Sequence, residues 1–368
     1  MSRDFAEGEG SETTSSRSIV RKIAIPIRIG IDPMVRLMVA DFKDDPEFTG
    51  LEPQLFDDQV NGKGIRLLRY RKDGMVDVYW QPGVMVERST ISIGAGIADF
   101  METAMEPARF VTTDRGIDVD IVFKDAQGRT NQIKIKEDSE GIRPFPFLAP
   151  VGLNVERPLR LFMVEMLEFD FVRRKNTLVK VMIGDRPLKP AYFPIPRSLH
   201  RVFLMRYGSS LAISTFNPPM DRAVMFDAAT PGSVMSEGMT MKVDDQGRTV
   251  KIQVIDGNVE VVFDFEPGFP NLTELDDGTT KSGNWTYIIC GHEVASGKYS
   301  LSRKEKKIQV EFDVTGGWKP TGLPFIFKFF TTFATFFKKW PTTYRWRGVV
   351  DLNNDLKMSG TWERKKSK

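Results

Sequence analysis

Short runs in which apolar residues alternate with other residues recur along the chain, and this pattern constrains the fold more than any other feature. A strand sends successive side chains to opposite faces, so each run predicts a strand with one buried face. The clearest runs cover residues 23–29, 117–123, 259–265, 308–312 and 356–362. Many short strands with few helical patterns predict an all-β protein built of antiparallel barrels or sandwiches.

Turn-forming dipeptides separate these runs. Asn61-Gly62, Asp73-Gly74, Asp256-Gly257 and Asp277-Gly278 all have the residue types that accept a positive φ in tight hairpins. They predict that neighbouring strands are joined by short connections and are therefore antiparallel.

Two pairs of segments about 120–130 residues apart have related sequences. Residues 124–135 (KDAQGRTNQIKI) and 243–254 (VDDQGRTVKIQV) are identical at six of twelve positions, and KPAYFP at 189–194 corresponds to KPTGLP at 319–324. The two matches occur in the same order. They predict an internal duplication, with domains at 19–216 and 217–368. We also expect a helix at 196–206 in the first half and at 324–340 in the second, each followed by closing strands.

Length and composition narrow the class of protein. The 368 residues suggest two domains, and 41% hydrophobic residues allow each domain a core. The 52 basic and 49 acidic residues nearly balance, which gives no reason to expect nucleic acid as a partner. Cys290 is the single cysteine and favours a reducing compartment, hence a cytoplasmic location, at most peripheral to a membrane. Residues 1–18 are polar and are interpreted as a disordered tail rather than a signal peptide.

The standard catalytic and metal-binding motifs are incomplete. His292-Glu293 would need a histidine at Ser296 to match the zinc-protease pattern, and two histidines are too few for a multi-histidine metal site. Cys290 and His292 could face one side of a strand, but a buried thiol explains Cys290 more simply. Arg129 and Arg248 are interpreted as hairpin residues. We therefore assign no catalytic residue, metal or cofactor, and leave open whether the protein is an enzyme.

The segment 324–340 is unusually aromatic. Read as a helix, it has the i, i+3, i+4, i+7 spacing of an amphipathic helix, with Lys328, Thr331 and Thr332 on the other side. The aromatic stripe is expected to comprise Ile326, Phe329, Phe330, Phe333, Phe336, Phe337 and Trp340. Three interpretations remain open: a helix packed on its own barrel, the wall of an apolar pocket, and a helix lying in a membrane interface.

Two β-barrel halves, each ending in a helix and a closing strand, resemble the two-domain lipocalin-like proteins. That group includes the carotenoid hydratase and AttH-like proteins and related cyclases. The resemblance is one of layout over about residues 20–365 and rests on the segments 125–135, 189–194, 244–254 and 319–324. No catalytic residue of that family matches a position here. The resemblance implies an apolar small-molecule cavity in one barrel or between the two.

These observations lead to two functional hypotheses. The first is binding of an apolar or lipid-like small molecule, with cyclase, isomerase or hydratase chemistry as its enzymatic form. Its expected ligand-binding residues are Phe329, Phe330, Phe333, Phe336, Phe337, Trp340, Trp285 and Trp318. The second is a non-enzymatic protein that docks on a membrane or scaffold through 324–340. A closed apolar cavity of several hundred Å³ would favour the first, and filled barrels with an exposed aromatic helix would favour the second.

Overall fold

A computed structural model describes residues 19–91, 93–139, 144–149, 156–192, 201–217, 221–333 and 339–365. Nearly all the regular structure in these residues is β-strand, in curled, mainly antiparallel sheets that include a half-barrel. The predicted all-β class is therefore confirmed, whereas the duplication into two lipocalin-like domains stays a prediction. The predicted tail at 1–18 lies outside the described residues.

The first part of the chain forms one large sheet. Its neighbouring strands are, in order, β2, β17, β12, β16, β3, β4, β5, β6 and β7, with β11 added to β12 and β15 added to β3. Among the strands that the structure describes in this sheet, β6 and β7 alone pair in parallel. The bounds are β2 (Ile29–Asp32), β3 (Arg36–Lys43), β4 (Phe48–Asp58), β5 (Gly62–Arg71), β6 (Val76–Trp80), β7 (Ile97–Glu102), β11 (Phe145–Ala149), β12 (Leu161–Arg173), β15 (Lys189–Pro190), β16 (Val202–Gly208) and β17 (Leu211–Phe216).

A smaller sheet packs against one face of the large sheet. Side chains such as Leu51 and Leu67 from the large sheet meet Val119 and Ile133 from the small one in an apolar core. The alternation at 117–123 is thus explained by one face turned into this core. The small sheet comprises β8 (Met105–Thr113), β9 (Gly116–Lys124), β10 (Thr130–Glu137), β13 (Thr177–Ile183) and β14 (Arg186–Pro187).

The second part of the chain forms a nine-stranded meander in which each strand pairs with the next along the chain. One α-helix, α1 (Phe325–Phe333), lies between its seventh and eighth strands. The strands are β19 (Gly232–Ser236), β20 (Met239–Val243), β21 (Thr249–Asp256), β22 (Val259–Phe269), β23 (Thr280–Ile289), β24 (His292–Lys304), β25 (Lys307–Gly316), β26 (Tyr344–Asp351) and β27 (Lys357–Arg364).

The two parts of the chain share one apolar core. Strand β1 (Ile19–Ile25), at the start of the described chain, pairs antiparallel with β18 (Val224–Thr230), which leads into the nine-stranded sheet. A single cluster of buried side chains joins residues of β1, β12 and β17 to the aromatic interior of the nine-stranded sheet, including Trp285 and Phe263. We call this contact region the joint.

The predicted helix at 196–206 is wrong where it can be compared with the structure. Residues 196–200 lie outside the described part of the chain, and Val202–Gly208 is strand β16. This segment pairs with both β12 and β3, and Phe203, Met205 and Tyr207 alternate into the core between the large and small sheets. The periodicity of a short apolar run does not by itself distinguish a helix from a strand. In the structure, backbone pairing along both edges of this segment stabilises the strand.

The repeated DxQGRT motif forms the same hairpin twice. Gly128 and Gly247 have φ of 75° and 77°, a conformation that favours glycine. The side chain of Asp125 accepts the backbone N–H groups of the residues two and four positions ahead and binds the Nε of Arg129, and Asp244 does the same with Arg248. The second sequence match does not recur in the structure: Lys189-Pro190 is strand β15, and Lys319-Pro320 has no strand.

Only the first hairpin is tied to a buried arginine. Arg69 is fully buried and donates hydrogen bonds to Asp77, Asp125 and Asn131, while its guanidinium lies 4.2 Å from the ring centroid of Phe48. Asp244 has no such partner, and its side chain is 17% exposed. The two hairpins thus provide a matched pair in which one aspartate also neutralises a buried cation.

We predict that Asp125→Ala lowers the free energy of unfolding by about 3–5 kcal/mol, because it leaves Arg69 buried beside a single carboxylate. Asp244→Ala is expected to cost only about 1–2 kcal/mol, since it removes the turn hydrogen bonds and a partly exposed ion pair with Arg248 but leaves no buried charge without a partner. Urea unfolding of the two variants checks this. Equal losses would show that Arg69 does not depend on Asp125.

Candidate functional site

Helix α1 presents phenylalanine to solvent. Phe325 is 85% exposed, Phe329 55% and Phe333 72%. They are spaced four residues apart, so they form one stripe along the helix, and the rings of Phe329 and Phe333 lie 4.5 Å apart between centroids. Lys328 and Thr332 are also exposed. Phe325, Phe329 and Phe333 are called the exposed stripe below.

The opposite side of α1 holds the helix to the joint. The ring of Phe327 packs against Phe145 of β11 at 4.7 Å and Phe171 of β12 at 5.6 Å, measured between centroids. Thr331 is buried, and its hydroxyl donates to the carbonyl of Lys328. A helix at 325–333 falls within the predicted segment 324–340; Thr331 is buried and Phe327 partly buried, whereas Phe329 and Phe333, expected on the covered stripe, are exposed.

The remaining predicted ligand residues are distributed differently. Trp285, Trp318 and Trp340 are 1%, 2% and 2% exposed and fill core positions. Trp285 packs beside Phe263, and Trp318 packs edge-on to Phe147 of β11. The side chain of Phe330, and Phe336 and Phe337 entirely, lie outside the described residues. The structure thus separates an exposed phenylalanine stripe from a set of buried indoles.

The sequence around α1 is basic without acidic residues. Between Asp313 and Asp351 there are six basic side chains and no aspartate or glutamate. Three of the six are paired: Lys319 with Glu293, Arg345 with Glu363 and Arg347 with Glu311. Within the described part of the chain, the exposed Lys328 and Lys339 form no ion pair. Lys328, which precedes Phe329 on α1, therefore places an unpaired positive charge beside the exposed stripe.

A carboxyl group and an imidazole meet inside the joint. Glu165 lies on β12, is fully buried and faces His292, the first residue of β24, with 3.5 Å between Oε1 and Nδ1. Neither oxygen of Glu165 nor the Nδ1 of His292 has a hydrogen-bond partner within the described residues. The His292 side chain is 21% exposed, so it links the buried carboxyl to the surface.

Burial decides the protonation of this pair. It raises the pKa of Glu165 to about 8 and lowers the pKa of His292 below its usual value. Both groups are therefore neutral near pH 7, with a protonated Glu165 as the potential donor and an unprotonated nitrogen of His292 as the acceptor. Perturbed pKa values beside a specific partner are concentrated at functional sites.

Glu165 differs from the other buried carboxyl groups of the described residues. Asp77 and Asp125 are held by arginines, and Glu137 accepts from the backbone and side chain of Arg173. Asp170 accepts from the N–H of Phe171 and pairs with Arg173. The fold therefore satisfies its buried carboxylates elsewhere, and the group without partners is the one that faces a histidine across the joint.

Sequence reasoning missed Glu165, although it carried a usable signal. Glu165 interrupts the apolar run LFMVEML at 161–167, where a charged residue is costly unless it is paired. The local sequence patterns place His292 only with Glu293 and Cys290. Glu165 and His292 are 127 positions apart in the sequence, and no local pattern predicts that they meet across the joint.

A shallow trough of about 650 Å³ lies elsewhere, on the outer face of β24–β27. Hydroxyl groups of Ser300, Ser302, Ser359 and Thr361 line it together with the Arg347–Glu311 ion pair. It is open to solvent, unlike the closed apolar cavity that the lipocalin-like resemblance implies. In the parts of the chain that the structure describes, no three potential metal ligands cluster, and no helix is long and apolar enough to cross a bilayer.

Comparison with known proteins finds no family model, no curated protein and no solved structure that matches this chain. The resemblance to lipocalin-like proteins thus remains one of layout.

We predict that Glu165→Gln stabilises the protein increasingly as the pH rises. Below pH 4.5 the carboxyl is protonated in both states. Above pH 4.5 the carboxyl of Glu165 loses its proton in the unfolded chain but keeps it in the folded protein. The free energy of unfolding of the wild type therefore falls as the pH rises, until the pH reaches the pKa of about 8 that Glu165 has in the folded protein. Between pH 4.5 and about 8, the free energy of unfolding of the variant should rise relative to that of the wild type by on the order of 4 kcal/mol.

Urea unfolding of both proteins at pH 5, 6, 7 and 8 measures this difference. His292 titrates in both proteins, so its contribution largely cancels when the two curves are subtracted. A difference that does not change with pH would mean that Glu165 ionises in the folded protein as it does in water.

Proposed function

We propose that this protein docks on the surface of an anionic lipid bilayer through α1. The observation that carries the proposal is the exposed stripe, three phenylalanines that face solvent although the same helix could have turned them into the joint. Exposed apolar patches on a folded protein mark interaction surfaces.

The apolar contribution is large enough to matter. Burying one phenylalanine side chain is worth about 1.5–3 kcal/mol, so three rings in the acyl region would supply about 4.5–9 kcal/mol before the costs of association. An amphipathic helix with its apolar face in the headgroup boundary penetrates about 5–10 Å, which is the depth of one helix face. Residues that hold α1 from the other side, such as Phe327, remain packed in the protein.

The charge pattern favours a lipid surface over a second protein of mixed charge. Lys328 on α1 and Lys339, further along the sequence, have no ion-pair partners among the described residues, and no acidic residue lies between Asp313 and Asp351. A lysine near an anionic bilayer contributes about 1 kcal/mol.

We predict that the double variant Phe329→Ser/Phe333→Ser binds anionic vesicles on the order of a hundredfold more weakly than wild type, because two rings no longer enter the acyl region. Its melting temperature should change little, since both rings are exposed. Co-sedimentation with vesicles of phosphatidylcholine and phosphatidylserine measures the binding.

The matched control is Val60→Ser/Ile255→Ser, which removes two side chains of 69% and 63% exposure away from α1. This control should bind vesicles like wild type. Wild-type protein that fails to bind vesicles at low salt, or equal loss in both double variants, would contradict docking through α1.

A further inference from the structure

We infer that Glu165 and His292 form a ligand site at the joint, which takes the uncharged polar end of an apolar molecule, a hydroxyl or carbonyl group. This site is separate from the exposed stripe and does not depend on membrane docking. Neither residue is explained by packing alone, because both face each other without a hydrogen bond within the described residues.

The hydrogen-bonding capacity of the pair defines the group that it can bind. Buried polar atoms in native proteins are nearly always satisfied, so three buried atoms without partners indicate a missing partner. A neutral carboxyl offers one donor and one acceptor, and a neutral imidazole offers one of each. A hydroxyl group, itself donor and acceptor, can join Glu165 to His292, and a carbonyl can accept from either.

The surroundings exclude a charged ligand and favour an apolar body. On neighbouring strands Glu165 is directly opposite Leu148 and Ala212, and the adjacent residue on its face is Met163. Ser214 also lies on this face and is within hydrogen-bonding reach of Tyr287. No arginine or lysine is paired with Glu165 in the described residues, so an anion would meet no counter-charge. An ammonium group would lose its hydration in this apolar core, and this loss of hydration disfavours binding of a cation.

Access runs through His292. Its side chain is partly exposed, whereas the oxygens of Glu165 have no accessible surface. His292 follows the tight turn at Cys290-Gly291, where both residues have positive φ, and this turn places it at the end of the β23–β24 hairpin. Rotation of a partly exposed side chain is fast, so the ligand's polar end would enter beside His292.

The test uses 1-decanol, decanoate and decyltrimethylammonium as probes, in equilibrium dialysis of the full chain at pH 7 without lipid. We expect one decanol per chain and at least tenfold weaker binding of both charged probes. Glu165→Leu should weaken decanol binding at least tenfold while leaving the melting temperature unchanged or raising it, because it removes a buried group that stabilises nothing in the free protein. Glu168→Gln, an exposed change on the same strand, is the matched control and should bind like wild type.

Three results would overturn the proposal. One is unchanged decanol binding by Glu165→Leu, and the second is equal binding of neutral and charged probes. The third is a crystal structure with decanol in which a water molecule alone bridges Glu165 and His292. A melting temperature lowered by Glu165→Leu, with decanol binding kept, would assign Glu165 a structural role. The variant Phe329→Ser/Phe333→Ser should keep decanol binding, so failure of this site and failure of membrane docking are distinguishable.

Discussion

The shared apolar core at the joint determines where every candidate functional group lies. The nine-stranded sheet turns Trp285, Phe263 and Tyr287 toward the face of β12 and β17, and the pairing of β1 with β18 connects the two parts at a second place. Large apolar surfaces in contact hold the parts in one arrangement, since hydrophobic burial grows with area. The domain boundary predicted between residues 216 and 217 falls between β17 and β18, two strands that both contribute to this core.

Two consequences follow from that contact. At its rim, Phe327 fixes α1 against β11 and β12, and this fixed rotation leaves Phe325, Phe329 and Phe333 outside. In its interior, the same contact removes Glu165 from water, and burial alone accounts for the raised pKa of its carboxyl. The exposed stripe and the buried carboxyl both lower the stability of the free protein. Residues that lower stability in this way are expected at functional sites.

The sequence predicted what depends on local pattern. Alternating runs gave strands β9, β22 and β25, and the DxQGRT motif predicted a hairpin that forms identically at Gly128 and Gly247. Prediction from the sequence was wrong where contacts between distant segments determine the local structure. Val202–Gly208 is a strand because two neighbouring strands pair with it. Phe327 rather than Phe329 packs against the protein because of its contact with Phe145 of β11, which is remote in sequence. The Glu165–His292 pair depends on packing across the joint and had only the interrupted run at 161–167 as a local sign.

The depth of α1 in a bilayer tests the central claim most directly. A nitroxide label is placed at Phe329 or, as control, at Val60, after Cys290→Ser removes the single native cysteine. Power-saturation electron paramagnetic resonance then measures label depth on phosphatidylserine-containing vesicles. A helix anchored by Phe327 with its exposed stripe in the acyl boundary predicts a label at 329 about 5–10 Å below the phosphates, and a label at 60 in water. Equal access of both labels to a water-soluble relaxation agent would contradict the account.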